Sequence, residues 1–244
     1  MRNSTLLIIS FAYAVVCIGS AFMDKPLITP AAANSALVET EVKVLTPEDK
    51  LSSELPLLLD HNYKVGRDQL LSMMVDLAED VYGVQEGYTK RDVFCQTKNI
   101  WHEARGEIYN HSYRGYALVA QTVLNRQDND KYPTDVCDVI YQPKQFSWTH
   151  DHLSDDVVAN ETADRINLWN AVLVSRNSFT GMYKGLLQGA TQYYNPKDAN
   201  PCWAKAYDDF IVYGNHRWGI KPNGDKSCWS AKIAGDAIKK RKLT

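Results

Sequence analysis

Trp101-His102-Glu103-Ala104-Arg105-Gly106-Glu107 is the stretch from which the fold reads outward. Phe94, Thr97, Lys98, Trp101 and His102 suit one helix that starts near Asp92 and runs into Glu103 and Ala104, with Gly106 ending it. An acidic side chain therefore sits at a closing helical turn, beside a large aromatic ring. A second stretch, Gln145-Phe146-Ser147-Trp148-Thr149, supplies amide, hydroxyl and aromatic groups of the kind a sugar-binding groove needs.

Further helices flank this one. Leu70, Leu71, Met74, Leu77, Ala78 and Val81 recur at helical spacing over 67–82, with Gly83 as the stop. Ala117, Ala120, Gln121 and Leu124 mark one face of a helix over 113–126, and the small alanines allow a close neighbour. A short helical or turn segment is predicted over 135–141. A long helix follows over 162–179, with Ile166, Trp169, Val172 and Leu173 facing inward. After Gly185 the pattern turns mixed, with short strands at 192–194 and 210–213, bounded by Asn195-Pro196 and Gly214-Asn215. The fold class is α+β, mostly helical, with a small β element. Pro26, Pro30, Pro47 and Pro56 mark 23–66 as a flexible linker. Residues 67–91 form an amphipathic helix and its connection, and 92–244 the compact domain.

Hydrophobic residues make up 45% and charged residues 23%, an ordinary globular balance, and the net charge of -2 gives no basic excess that calls for nucleic acid. Residues 1–22 look like an export segment: Arg2 is positive, Thr5 to Phe22 carries no charge, and Gly19-Ser20-Ala21 offers a cleavage site. The segment reads as a signal peptide or an uncleaved signal-anchor. It places the protein in the periplasm or outside the cell, touching membrane only through this segment if it is retained. Cys17 lies within it, leaving Cys95, Cys137, Cys202 and Cys228. Four cysteines allow three pairings. Cys95 with Cys137 and Cys202 with Cys228 close the smaller loops and are favoured on that ground alone. No zinc spacing occurs, and no metal or other cofactor is expected.

Glu103 is the candidate acid. Protonating a glycosidic oxygen near neutral pH needs a carboxyl whose pKa is raised by burial or by a second carboxylate. Trp101 provides an apolar setting, and Glu107 lies one helical turn away. A zinc-protease reading of His102-Glu103 fails because Gly106 stands where the second histidine belongs. Ser147 lacks the G-x-S-x-G elbow of a serine hydrolase. His150 and His152 sit beside Asp151 in a polar loop and read as solvated.

The segments W-H-E-A-R-G-E (101–107), A-L-V-A-Q-T-V-L-N-R (117–126), Y-Q-P-K-Q-F-S-W-T (141–149) and G-A-T-Q-Y-Y-N-P (189–196) resemble the SleB-type cell-wall hydrolases. That family includes spore-cortex-lytic enzymes, with relatives among phage lysis proteins such as endolysins. The resemblance covers about 95–220 in four blocks. It implies a lysozyme-like catalytic domain that cleaves peptidoglycan between N-acetylmuramic acid and N-acetylglucosamine, with Glu103 as catalytic acid. It suggests a lytic transglycosylase giving 1,6-anhydro ends. Gln145, Ser147, Tyr193, Tyr194 and Asn195 would then hydrogen-bond sugar groups, Phe146 and Trp148 stack on sugar faces, and His216 form part of the groove wall. Arg105, Glu107 and Asp151 would support the acid. Two departures stand out: His216-Arg217-Trp218-Gly219 replaces a common His-x-Phe-Tyr, and Gln192 stands where histidine is common. The alternatives are a lysozyme-type muramidase, with Glu107 or Asp151 as second carboxylate, and a non-catalytic wall-binding protein. The expected partner is the peptidoglycan glycan strand, bound by a monomer.

Overall fold

A computed structural model describes residues 45–107, 113–225 and 227–228. The expected export segment and residues 23–44 of the expected linker lie outside the described residues. The described helices are α1 (Pro47–Leu59), α2 (Arg67–Tyr82), α3 (Lys90–Ala104), α4 (Arg114–Gln127), α5 (Val136–Ile140) and α6 (Thr162–Ser178). None of them is long and apolar enough to cross a membrane. Strands β1 (Tyr193–Tyr194), β2 (Tyr207–Tyr213) and β3 (His216–Pro222) form one antiparallel sheet in the order β1-β3-β2.

Local signals explain the helix ends. Thr89 caps α3 in a reciprocal box with Asp92. Gly83 stops α2 at φ +76, a conformation that only glycine adopts at little cost. In α6, Trp169 and Val172 face the core as expected and Leu173 packs against it, but Ile166 is exposed and Arg165 and Leu168 take the inward face.

The described part of 23–66 differs from the expected linker, because 45–66 contains α1. Thr46 and Asp49 form a capping box, and Pro47 sits in the first turn, where its missing N–H costs nothing. Leu58 is buried, and Leu51, Leu55 and Leu59 pack against the core. The chain leaving α1 is held by Arg165, whose guanidinium donates to the carbonyls of Leu58, Asp60 and Tyr63 while its Nε donates to Ala159. No packing boundary falls at residue 92 either, since Leu70, Leu71, Met74 and Leu77 share one core with Val93, Trp101, Val123 and Leu168.

A second apolar cluster joins helices to sheet around Ile100, Tyr116, Leu118 and Trp218. The Trp218 indole donates to Thr122 Oγ1 at 2.9 Å, which fixes β3 on α4. Strand β3 was not anticipated as a strand. Gly219 faces Phe210 across the β2–β3 ladder, and a Cβ there would meet the Tyr207 ring at 2.5–2.7 Å. Gly219→Ala should therefore destabilise the protein by about 1–3 kcal/mol through overpacking, read as a lower thermal midpoint.

Candidate active site

A cleft of about 700 Å³ runs between the end of α3, the loop after α5, and the sheet. Glu103, in the last turn of α3, and Glu107, just beyond it, both line the cleft. Tyr193, Tyr194 and Asn195 come from β1 and the turn after it, and His216 from the start of β3.

The loop from 145 to 148 alternates. Gln145 and Ser147 reach the cleft, whereas Phe146 and Trp148 point into the core and are 1% and 6% exposed. Phe146 has extended backbone, which turns successive side chains to opposite sides. The Arg126 guanidinium lies 4.8 Å from the Phe146 ring centre. The Trp148 indole donates to the buried Asn99 at 3.1 Å and stacks on His102 at 4.4 Å. Phe146 and Trp148 are therefore anchors of the loop, not the sugar-stacking platforms expected of them. Arg105 is exposed beside the Trp101 ring, and Asp151 is exposed in a turn, where it accepts from the Leu153 N–H. Neither lines the cleft.

The Glu103 carboxyl is held above its ordinary pKa. Burial raises its carboxyl pKa most strongly. The Tyr193 hydrogen bond, His216 and Arg126 pull it back down, and Glu107 raises it again, leaving a net rise. The Tyr193 hydroxyl donates to Glu103 Oε2 at 2.7 Å. Burial and the neighbouring Glu103 charge push the phenol well above its usual pKa, so it stays a neutral donor.

Glu107 is only 4% exposed and is held from several sides. Its Oε1 accepts the Asn215 N–H at 3.0 Å and lies 2.9 Å from His216 Nδ1. Gly214, at φ +57, comes so close that a Cβ would stand 2.9 Å from the carboxylate, and Gly115 closes the other side. Glu107 thus ties the β2–β3 turn to the end of α3 and holds His216 beside Glu103.

Sequence reasoning missed several cleft residues. Trp203 comes from a 3-10 turn at Cys202–Ala206, next to the Cys202–Cys228 disulfide. Asp198 and Asn215 sit in turns with no periodicity to mark them. Arg126, near the end of α4, does not itself line the cleft. It is buried and donates to the Thr191 carbonyl at 2.7 Å, yet its charge also acts on Glu103.

Residues 110–218 match the family model described as Cell Wall Hydrolase. That match begins after Glu103 and Glu107. The spore cortex-lytic enzyme of Halalkalibacterium halodurans is 30% identical over 141 residues, which cover 57% of this chain and 37% of the relative. The spore cortex-lytic enzyme of Bacillus cereus is 28% identical over 137 residues, or 54% of this chain and 46% of that one. The chain thus spans less than half the length of these relatives. The solved catalytic domain of the Bacillus cereus SleB protein is 25% identical and covers 56% of this chain and 94% of its own, with a TM-score of 0.42.

Proposed function

We propose, from the match of residues 110–218 to the cell wall hydrolase family model, that the protein cleaves the glycan strands of peptidoglycan with Glu103 as its acid/base. The observation that carries this reading is a single carboxyl with a raised pKa, lining an open cleft under a phenol hydrogen bond. Residues 92–244 would carry the chemistry, with α1 and α2 as part of the same folded body. A wall-facing location follows from the substrate.

In the proposed reaction, protonated Glu103 gives its proton to the oxygen of the bond between N-acetylmuramic acid and N-acetylglucosamine. The C1–O bond breaks. The muramic 6-hydroxyl then closes onto C1, and its proton returns to Glu103. A 1,6-anhydro end results and no water is consumed. One carboxyl suffices for both steps, whereas inverting and retaining hydrolases use a pair. Glu107 Oε1 is held by the Asn215 N–H and lies beside His216, which suits Glu107 to positioning. Gln145, Ser147, Tyr194 and Asn195 would hydrogen-bond the sugars, with Trp203 as their apolar face.

Digestion of purified peptidoglycan followed by mass spectrometry tests the reading. Anhydro-muropeptides are expected. Hydrated reducing ends would establish a muramidase instead, and intact strands would leave a binding protein.

Tyr193 supplies a second check. The acid step needs protonated Glu103, so activity falls as pH rises through its raised pKa. Tyr193→Phe removes a contact that lowers that pKa, so the alkaline limb should move to higher pH. kcat should fall by about 10- to 100-fold, the weight of one hydrogen bond to a charged group. An unmoved limb in a pH–rate profile would remove Tyr193 from the mechanism.

A further inference from the structure

Beside the cleft lies a second cavity of about 340 Å³ that shares Gln145 and Trp203 with it. Lys131, Lys144, Gln142 and the Cys202–Cys228 disulfide complete much of its wall. The two cavities differ in charge. Among the described residues, the first is lined by Glu103, Glu107 and Asp198 with no lysine or arginine, and the second by Lys131 and Lys144 with no acid.

Both lysines are exposed, and neither ammonium has an ion-pair partner among the described residues. Lys50, Lys90 and Lys98, by contrast, each lie within 2.8 Å of an aspartate oxygen. The two lysines sit on anchored turns. The Lys131 N–H is held by Asn129 Oδ1, and Lys144 adopts φ +67 two residues before the buried Phe146. The left-handed conformation is uncommon for a lysine. In the same cavity wall, the Gln142 Oε1 atom is buried without a hydrogen-bond partner among the described residues. A buried acceptor left open in this way calls for a hydrogen-bond donor, which a peptide N–H can supply.

Carboxylates for two ammonium groups and an amide N–H for Gln142 are together the chemistry of an acidic peptide. The shared Trp203 and Gln145 put such a peptide next to the strand in the cleft. We propose that the second cavity binds the carboxylate-bearing peptide branch of a glycan strand seated at Glu103. This rests on the peptidoglycan reading. The protein would thereby favour strands that still carry their peptides over bare glycan.

The test compares wild type with Lys131→Gln/Lys144→Gln on two substrates: peptide-bearing strands, and the same strands stripped by an amidase. KM, kcat and equilibrium binding are read for each. Exposed charge pairs are each worth a factor of about two to five. Wild type should therefore prefer peptide-bearing strands by about tenfold in KM and in binding. In the double variant that ratio should collapse toward one with kcat kept, and the wild-type preference should shrink in high salt. An equal preference in both proteins, or none in wild type, overturns the proposal. If wild type releases no fragments, the peptidoglycan-cleaving reading fails on its own. The binding ratio still decides for or against the lysine site, and matching thermal midpoints exclude misfolding of the variant.

Discussion

Glu103→Gln should lower kcat/KM on peptidoglycan on the order of 10³-fold, the range of one positioned general acid. The amide keeps the shape of the carboxyl and can still accept the Tyr193 hydroxyl, now 2.7 Å from Oε2, so the cleft should stay assembled. It carries no transferable proton, and both proposed steps stop together. Stability should move the other way. Burial raises the Glu103 pKa, so the fold favours its neutral form. That contribution is fully present below the ordinary carboxyl pKa and is lost as pH rises through the raised value. At neutral pH the variant should unfold at a higher temperature than wild type. The gap should close in acid. Undiminished lysis of purified walls by Glu103→Gln would end the assignment, and an unchanged melting difference between pH 4 and 7 would contradict the stated origin of the raised pKa.

Replacing Cys95 and Cys137 together by serine should produce the largest loss of stability. The pair closes a separation of 42 residues that spans the end of α3, all of α4 and the start of α5. Chain-entropy arguments give about 4 kcal/mol for such a loop, and measured losses run from about 2 to 5. The thermal midpoint should fall by roughly 8–16 °C. Activity should fall with it, because the bridge pins α5 to α3 and the next loop carries Gln145 and Ser147. Thermal unfolding of the double variant beside wild type, without reductant, measures the effect. A drop under about 2 °C would mean that core packing alone fixes α5.

Much of the helical layer was legible because its determinants are local. The stop at Gly83, the start near Thr89-Asp92 and the apolar spacing of α2 need no knowledge of the remaining chain. Glu103 and Tyr193 were nameable from motif segments and His216 from a stretch that departs from the family's pattern, and the fold brings all three to one cleft. What escaped depends on distant partners. The prolines of 45–66 suggested a linker, but Pro47 begins a helix that packs on α2, and Arg165 on α6 holds the chain that leaves it. Phe146 and Trp148 were chemically suited to sugar, and only Arg126 and Asn99, from other helices, show that they turn inward. Trp203 owes its place to a disulfide and a short turn, neither of which has a period to read.

The Arg165 clasp also dictates an order of assembly. Its guanidinium reaches back 107 residues to Leu58 and 105 to Asp60. At synthesis rates of about 5–20 residues per second, Asp60 leaves the ribosome about 5–20 s before Arg165 does. Throughout that interval α1 has α2 to pack on, but both helices lack the contacts that α6 later supplies. Apolar residues of α1 and α2 thus stay open to other partners until α6 has been made.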